Sequence, residues 1–103
     1  MKALLFSRRA EADFHEISEY LGFLPARPSL RIAEEIQRAF NLIVQFPYLG
    51  QAHSRFTTLH GQEVRSLLVA SYRIYYFSTS PPEIIAILHG ARDQTAIMSQ
   101  RTT

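Results

Sequence analysis

An α+β fold is expected for this chain: an N-terminal strand, an antiparallel helical hairpin, and a small, mainly antiparallel sheet on which the hairpin packs. Three observations lead to it. Between Glu63 and Asp93, three short runs rich in β-branched and aromatic residues, Val64–Val69, Tyr72–Ser78 and Ile84–His89, are separated by turn-forming residues, as in an antiparallel meander. Upstream, two stretches space their apolar residues by threes and fours, the signature of amphipathic helices. Ahead of both stands a short apolar run, Lys2–Phe6, which reads as a first strand.

The elements follow in order. Ser7 offers an N-cap, and Glu11 and Asp13 place negative charge in the first turn behind it, where the helix dipole favours it. Ala10, Phe14, Ile17, Leu21 and Leu24 form one helical face, and Glu11, His15, Glu16 and Glu19 form the opposite, solvated one. Pro25-Ala26-Arg27-Pro28 interrupts the pattern, with Pro28 suited to the first turn of the next helix. Leu30, Ala33, Ile36, Phe40 and Ile43 then repeat the spacing, Leu42, Val44 and Phe46 widen the stripe, and Pro47 stops it. So short a link between the stripes makes them an antiparallel hairpin that buries its shared apolar side on the sheet. Pro47-Tyr48-Leu49-Gly50 is a turn, and Gln51–Gly61 carries no periodicity that assigns it an element. In the meander, Ala70-Ser71 is short enough for a hairpin turn, while Thr79-Ser80-Pro81-Pro82 makes a longer loop because proline cannot donate to a ladder.

A chain of 103 residues is expected to form one domain over residues 1–103, with one hydrophobic core. The apolar fraction of 47% and aromatic fraction of 12% exclude a disordered polar segment. No stretch approaches the roughly 18 apolar residues that span a bilayer, and Met1–Ser7 is too short for a signal sequence, so a cytoplasmic protein that does not contact membrane is expected. The absence of cysteine excludes disulfides, thiolate catalysis and cysteine-ligated metals. His15, His53, His60 and His89 lack the close spacing of metal ligands, and no glycine-rich phosphate loop is present, so neither metal nor cofactor is expected. Every cation except Lys2 is an arginine, suited to bidentate pairing with carboxylates and phosphates. Residues 51–103 hold five basic against three acidic side chains, which puts the net positive charge in the sheet half.

Alternation divides each strand into two faces. On the middle run, Tyr72, Ile74 and Tyr76 oppose Arg73, Tyr75 and Phe77. An arginine is seldom buried without a partner, so Arg73, Tyr75 and Phe77 are assigned to an open face away from the helices, together with Arg65, Leu67 and Val69 of the preceding run. A bound partner would cover such a face; the alternative is that the residues after Asp93 fold back over it.

The order of these elements, with Phe46-Pro47-Tyr48-Leu49-Gly50, Val64-Arg65, Tyr72-Arg73-Ile74-Tyr75-Tyr76 and the closing Ile87-Leu88-His89-Gly90-Ala91-Arg92-Asp93, resembles the ParE branch of the ParE/RelE superfamily. These are toxins of type II toxin–antitoxin modules, often labelled plasmid stabilization proteins. The resemblance covers nearly the whole chain and implies a bacterial toxin neutralised by a cognate antitoxin, ParD-like or another DNA-binding antitoxin, whose tail folds onto the toxin. DNA would be reached only through the antitoxin complex. ParE-like members imply DNA gyrase as the target; RelE-like members imply ribosome-dependent mRNA cleavage. RNA cleavage needs a base, an acid and cations for the phosphorane. Scored against the RelE pattern, Arg73 and Arg92 supply two phosphate clamps, but Met98 stands where that pattern has a tyrosine, and the lysines around the preceding strand are missing. His60 or His89 would have to substitute. The expectation is therefore a gyrase inhibitor with no catalytic residues, the alternatives being an RNase using Arg73 and Arg92 or a non-toxic binding module of the same fold. Arg65, Arg73, Tyr75, Phe77 and Arg92 are the expected antitoxin-binding residues. Gly90 permits a tight exit from the last strand, and Asp93 is suited to cap the segment after it.

Overall fold

A computed structural model of the chain describes residues 3–56, 61–90 and 92–102. It is α+β: β1 (Leu5–Phe6), α1 (Arg8–Leu21), α2 (Ala26–Gln45), β2 (Gln51–Ala52), β3 (Val64–Val69), β4 (Tyr72–Phe77), β5 (Glu83–His89) and α3 (Gln94–Arg101). The strands form one sheet in the order β1-β5-β4-β3-β2, antiparallel throughout except that β1 runs parallel to β5. The meander and both helices lie where the apolar spacing places them. The first strand is shorter than expected, two residues, and Lys2 lies outside the described residues.

Local chemistry accounts for the element ends. Ser7 caps α1 with its side chain, Oγ accepting from the Ala10 N–H at 3.1 Å. α2 ends before Pro47, where the Phe46 N–H closes the last turn on the Leu42 carbonyl at 2.7 Å. Asp93 caps α3 through the Ala96 N–H at 3.2 Å. At the two-residue turn between β3 and β4, Ala70 takes a φ of 52°, a left-handed conformation that glycine would hold with less strain.

The sheet is buried on both faces. On one side α1 and α2 lay Ala10, Ile17, Ile36, Ala39, Phe40 and Ile43 against Tyr72, Ile74, Tyr76, Ile84 and Ile87. On the other, a second cluster joins Phe56, Val64, Tyr75, Ile85, Ala86 and Leu88 with Met98 of α3. A β-bulge reconciles the two: Tyr76 pairs with Ile84 and Tyr75 with Ala86, so Ile85 has no partner across the ladder. Ile85 and Ala86 both join the α3 side, and Ile87 returns to the helix side.

Tyr76 ties β4 to the turn after α2. Its ring is fully buried, its hydroxyl donates to the Pro47 carbonyl at 2.7 Å, and the Gly50 N–H donates to it at 3.0 Å. The backbone comes so close here that a Cβ on Gly50 would sit 2.7 Å from both the Ser66 carbonyl oxygen and the Tyr76 hydroxyl. Tyr76→Phe leaves two backbone groups without a partner and is expected to cost about 1–3 kcal/mol. Urea denaturation of the variant measures it, and an unchanged midpoint would show that water replaces the hydroxyl.

Candidate functional site

The five residues expected to bind the antitoxin are divided by the structure. Arg73, Tyr75 and Phe77 do share a side of β4, but α3 crosses that side. Tyr75 is 2% exposed, with its hydroxyl donating to Gln94 Oε1 of α3 at 2.8 Å, so it is a core residue and not an exposed anchor. Phe77 is half-buried at the margin of the same cluster. Residues after Asp93 thus form a helix that closes the face, the alternative weighed above.

Arg65, Leu67 and Val69 are on the opposite side from that expected. The two-residue turn pairs odd-numbered residues of β3 with even-numbered ones of β4: Val69 with Tyr72, Leu67 with Ile74, Arg65 with Tyr76. Paired residues share a face, so these three lie on the helix side, where Leu67 and Val69 pack against the main core. Arg65 is committed to the structure there. It donates to Glu63 at 2.6 Å and to the carbonyls of Tyr48 and Gly50 at 2.8 and 2.7 Å, with its guanidinium over the Tyr48 ring. The bond from Arg65 to Glu63, and one from the Ser78 hydroxyl, hold the Glu63 carboxyl below its ordinary pKa.

Arg92 follows β5 and is exposed. It lines a groove of about 360 Å³ on the helix side, with Glu16, Tyr20, Tyr72 and His89 among the other walls. His60, one of the two histidines weighed as a proton carrier, lies outside the described residues. His89 is exposed and stacks edge-on against Tyr72, 5.4 Å between ring centres. Met98 is completely buried at the middle of α3.

One polar cluster does form on the α3 side, around a histidine that the sequence did not single out. β2 pairs with β3, Gln51 opposite Ser66, and this register brings His53 beside Ser66, Nε2 to Oγ at 2.7 Å. Arg73 donates to the same Oγ at 3.0 Å. Arg55 extends over the Phe56 ring, 5.0 Å from its centre, and Phe56 and Tyr75 flank the imidazole, with ring centres 5.8 and 5.4 Å away. Burial, then Arg73 and Arg55, push His53 below the ordinary histidine pKa, so the imidazole is neutral at pH 7. Because a guanidinium only donates, Oγ accepts from Arg73, and its second lone pair and its proton allow the bond to Nε2 to run in either direction, according to the imidazole tautomer. The cluster can bind an anion. A lone histidine in a polar connection gives no sequence signal for this, since its neighbours are set by strand register.

Elsewhere, Asp13 and Arg101, far apart in sequence, make a bidentate pair through the Oδ1 contact at 3.0 Å and a second, shorter one at Oδ2. Both bear on the edge of β5 that the short β1 leaves free: the Ile87 N–H donates to Asp13 at 2.9 Å, and Arg101 donates to the Ile85 carbonyl at 3.1 Å. Among the described residues no group of histidine and acidic side chains is arranged to hold a metal ion, and no helix is long and apolar enough to cross a membrane.

Residues 4–94 match the sequence model of a protein family described as ParE toxin of type II toxin-antitoxin system, parDE. Among curated proteins, none matches the chain.

Proposed function

We propose that this chain, which belongs to the ParE toxin family of type II toxin–antitoxin systems, acts in the bacterial cytoplasm by binding DNA gyrase and is neutralised there by a cognate antitoxin. One observation supports gyrase binding over RNA cleavage. The sheet face that an RNA would need is closed by α3, with Met98 buried at the position where a proton donor would stand. Among the described residues the two arginines do not converge on one site: Arg73 is engaged with Ser66 beside His53, while Arg92 lies on the helix side in the groove with Glu16, Tyr72 and His89. Inhibition by binding asks only for a complementary surface.

The antitoxin surface is proposed to include Arg73 and Phe77 at the margin of α3, with Arg55 and His53 beside them. Arg65 and Arg92 face elsewhere and belong to it only if the antitoxin wraps the edge of the sheet. Such a segment, folding as it binds, can cover separated patches.

Purified chain is expected to inhibit gyrase supercoiling and accumulate cleaved DNA, and added antitoxin should reverse both. In growing bacteria, induction without antitoxin should stop DNA synthesis within minutes, before protein synthesis. Gyrase left unaffected, with protein synthesis failing first, would replace this reading with mRNA cleavage; growth unaffected by induction would leave a non-toxic binding module.

A further inference from the structure

His53, Arg55 and Arg73 meet at one margin of the sheet, and among the described residues no carboxylate joins them. All nine Asp and Glu side chains of the chain are among the described residues, and neither Arg55 nor Arg73 forms a hydrogen bond or ion pair with any of them. Among the described residues, the groups facing the imidazole are Ser66 from β3, Arg73 and Tyr75 from β4, and Arg55 and Phe56 from the loop after β2. Each polar one is a donor or neutral. A site composed this way has an unmet demand for negative charge.

The form of the anion follows from what surrounds it. A nucleotide would call for aromatic faces on which a base can stack. Here the two rings closest to the cluster are buried, Phe56 at 5% and Tyr75 at 2% exposure, and packed edge to face with centres 6.1 Å apart. Arg55 is exposed, and Arg73 and His53 are half-buried. This suits the carboxylate of an acidic side chain, which needs donors and no stacking platform.

We propose that His53, Arg55 and Arg73 form a carboxylate-binding site for an acidic side chain of a protein partner, and that filling the site loads a proton onto His53. The assignment of that partner as the antitoxin rests on the function proposed above. Burial and the two arginines disfavour the imidazolium. A carboxylate between the two arginines offsets their repulsion of an imidazolium, whose Nε2–H donates to Ser66 Oγ. By linkage, whatever raises the proton affinity of His53 on binding makes binding tighter as pH falls. Between the free and bound midpoints of His53, affinity should rise up to about tenfold per pH unit lost.

The test is a pH titration of the His53 Cε1–H resonance in the full chain, alone and with glutarate as a small dicarboxylate, and in parallel with inorganic phosphate and with oligouridylate. Glutarate is expected to raise the His53 midpoint and to bind more tightly at pH 6 than at pH 8. Arg55→Gln, at an exposed loop position, should reduce the shift, and His53→Asn should leave weaker binding without pH dependence. A midpoint that glutarate does not move overturns the site, as does an equal shift in the Arg55→Gln, Arg73→Gln double variant. A response to oligouridylate alone overturns the carboxylate assignment in favour of nucleic acid. Neutralisation is read separately, from growth on co-expression with the antitoxin: rescue with an unmoved His53 rejects this site only, and a moved His53 without rescue rejects the antitoxin as its ligand.

Discussion

Tyr75→Ala is expected to lower the stability of the fold by about 3–5 kcal/mol, the range for deleting a large aromatic side chain from a core. The ring is 2% exposed and packs with Phe56 and His53, and in its cluster are Ile85, Leu88 and the fully buried Met98 of α3. Removing it leaves a void beneath α3 and takes from Gln94 Oε1 the hydroxyl that donates to it. Set against a total of about 5–15 kcal/mol for an ordinary domain, such a loss is a large fraction. It corresponds to a fall of about 4–8 °C in Tm per kcal/mol at this chain length. Tyr75→Phe keeps the ring and gives up one hydrogen bond, so about 1 kcal/mol is expected. Thermal melts of the two variants side by side measure the difference, and an alanine variant as stable as the phenylalanine one would mean that α3 does not cover the sheet. The comparison has a practical consequence. Weaker antitoxin binding by Tyr75→Ala would report a loosened α3, whereas the same loss in Phe77→Ala, at the margin, would report a contact.

Arg101→Ala and Asp13→Ala should each cost about 3–5 kcal/mol, because breaking a buried ion pair leaves one charge without compensation. The side chains are 12% and 7% exposed. The arginine variant leaves a carboxylate in the interior with the Ile87 N–H as its remaining donor, and the aspartate variant strands that N–H. Arg101→Lys should recover only part of the loss, since one ammonium cannot reproduce the two-pronged contact together with the bond to the Ile85 carbonyl. Removing both partners is expected to cost clearly less than the sum of the single losses, and a double-mutant cycle in urea measures that coupling. Additive losses would show that the two groups act independently. The pair matters beyond its energy: it fastens the end of α3 to α1 across the edge of β5, so its loss frees the helix that shields Tyr75.

Some of what the sequence analysis did not place was still written in the sequence. Ile84-Ile85-Ala86-Ile87-Leu88 is an uninterrupted apolar run, which does not alternate because both faces of β5 are covered. The run therefore signals a cover on the side that was expected to be open. The turn Ala70-Ser71 likewise implies which residues of β3 face those of β4, and the resulting pairing puts Arg65 on the helix side. Face assignment by the burial cost of arginine alone misplaced it, because Arg65 meets that cost by reaching Glu63 and the 47–50 turn.

By itself the sequence determined the fold class and the elements other than β2 and α3. Period-two and three-and-four spacing, the Ser7 and Asp93 caps, and the stops at Pro47 and Gly90 are local properties, decided within a few residues of where they act. The family followed as well, since it is carried by such segments in order. Only the tertiary structure decided the site. His53 meets Ser66 through the register of a two-residue strand, Asp13 finds Arg101 from the opposite end of the chain, and α3 converts Tyr75 from a surface aromatic into a core one. Each of these contacts joins residues distant in sequence, and no local pattern encodes a distance that is set only when the chain closes on itself.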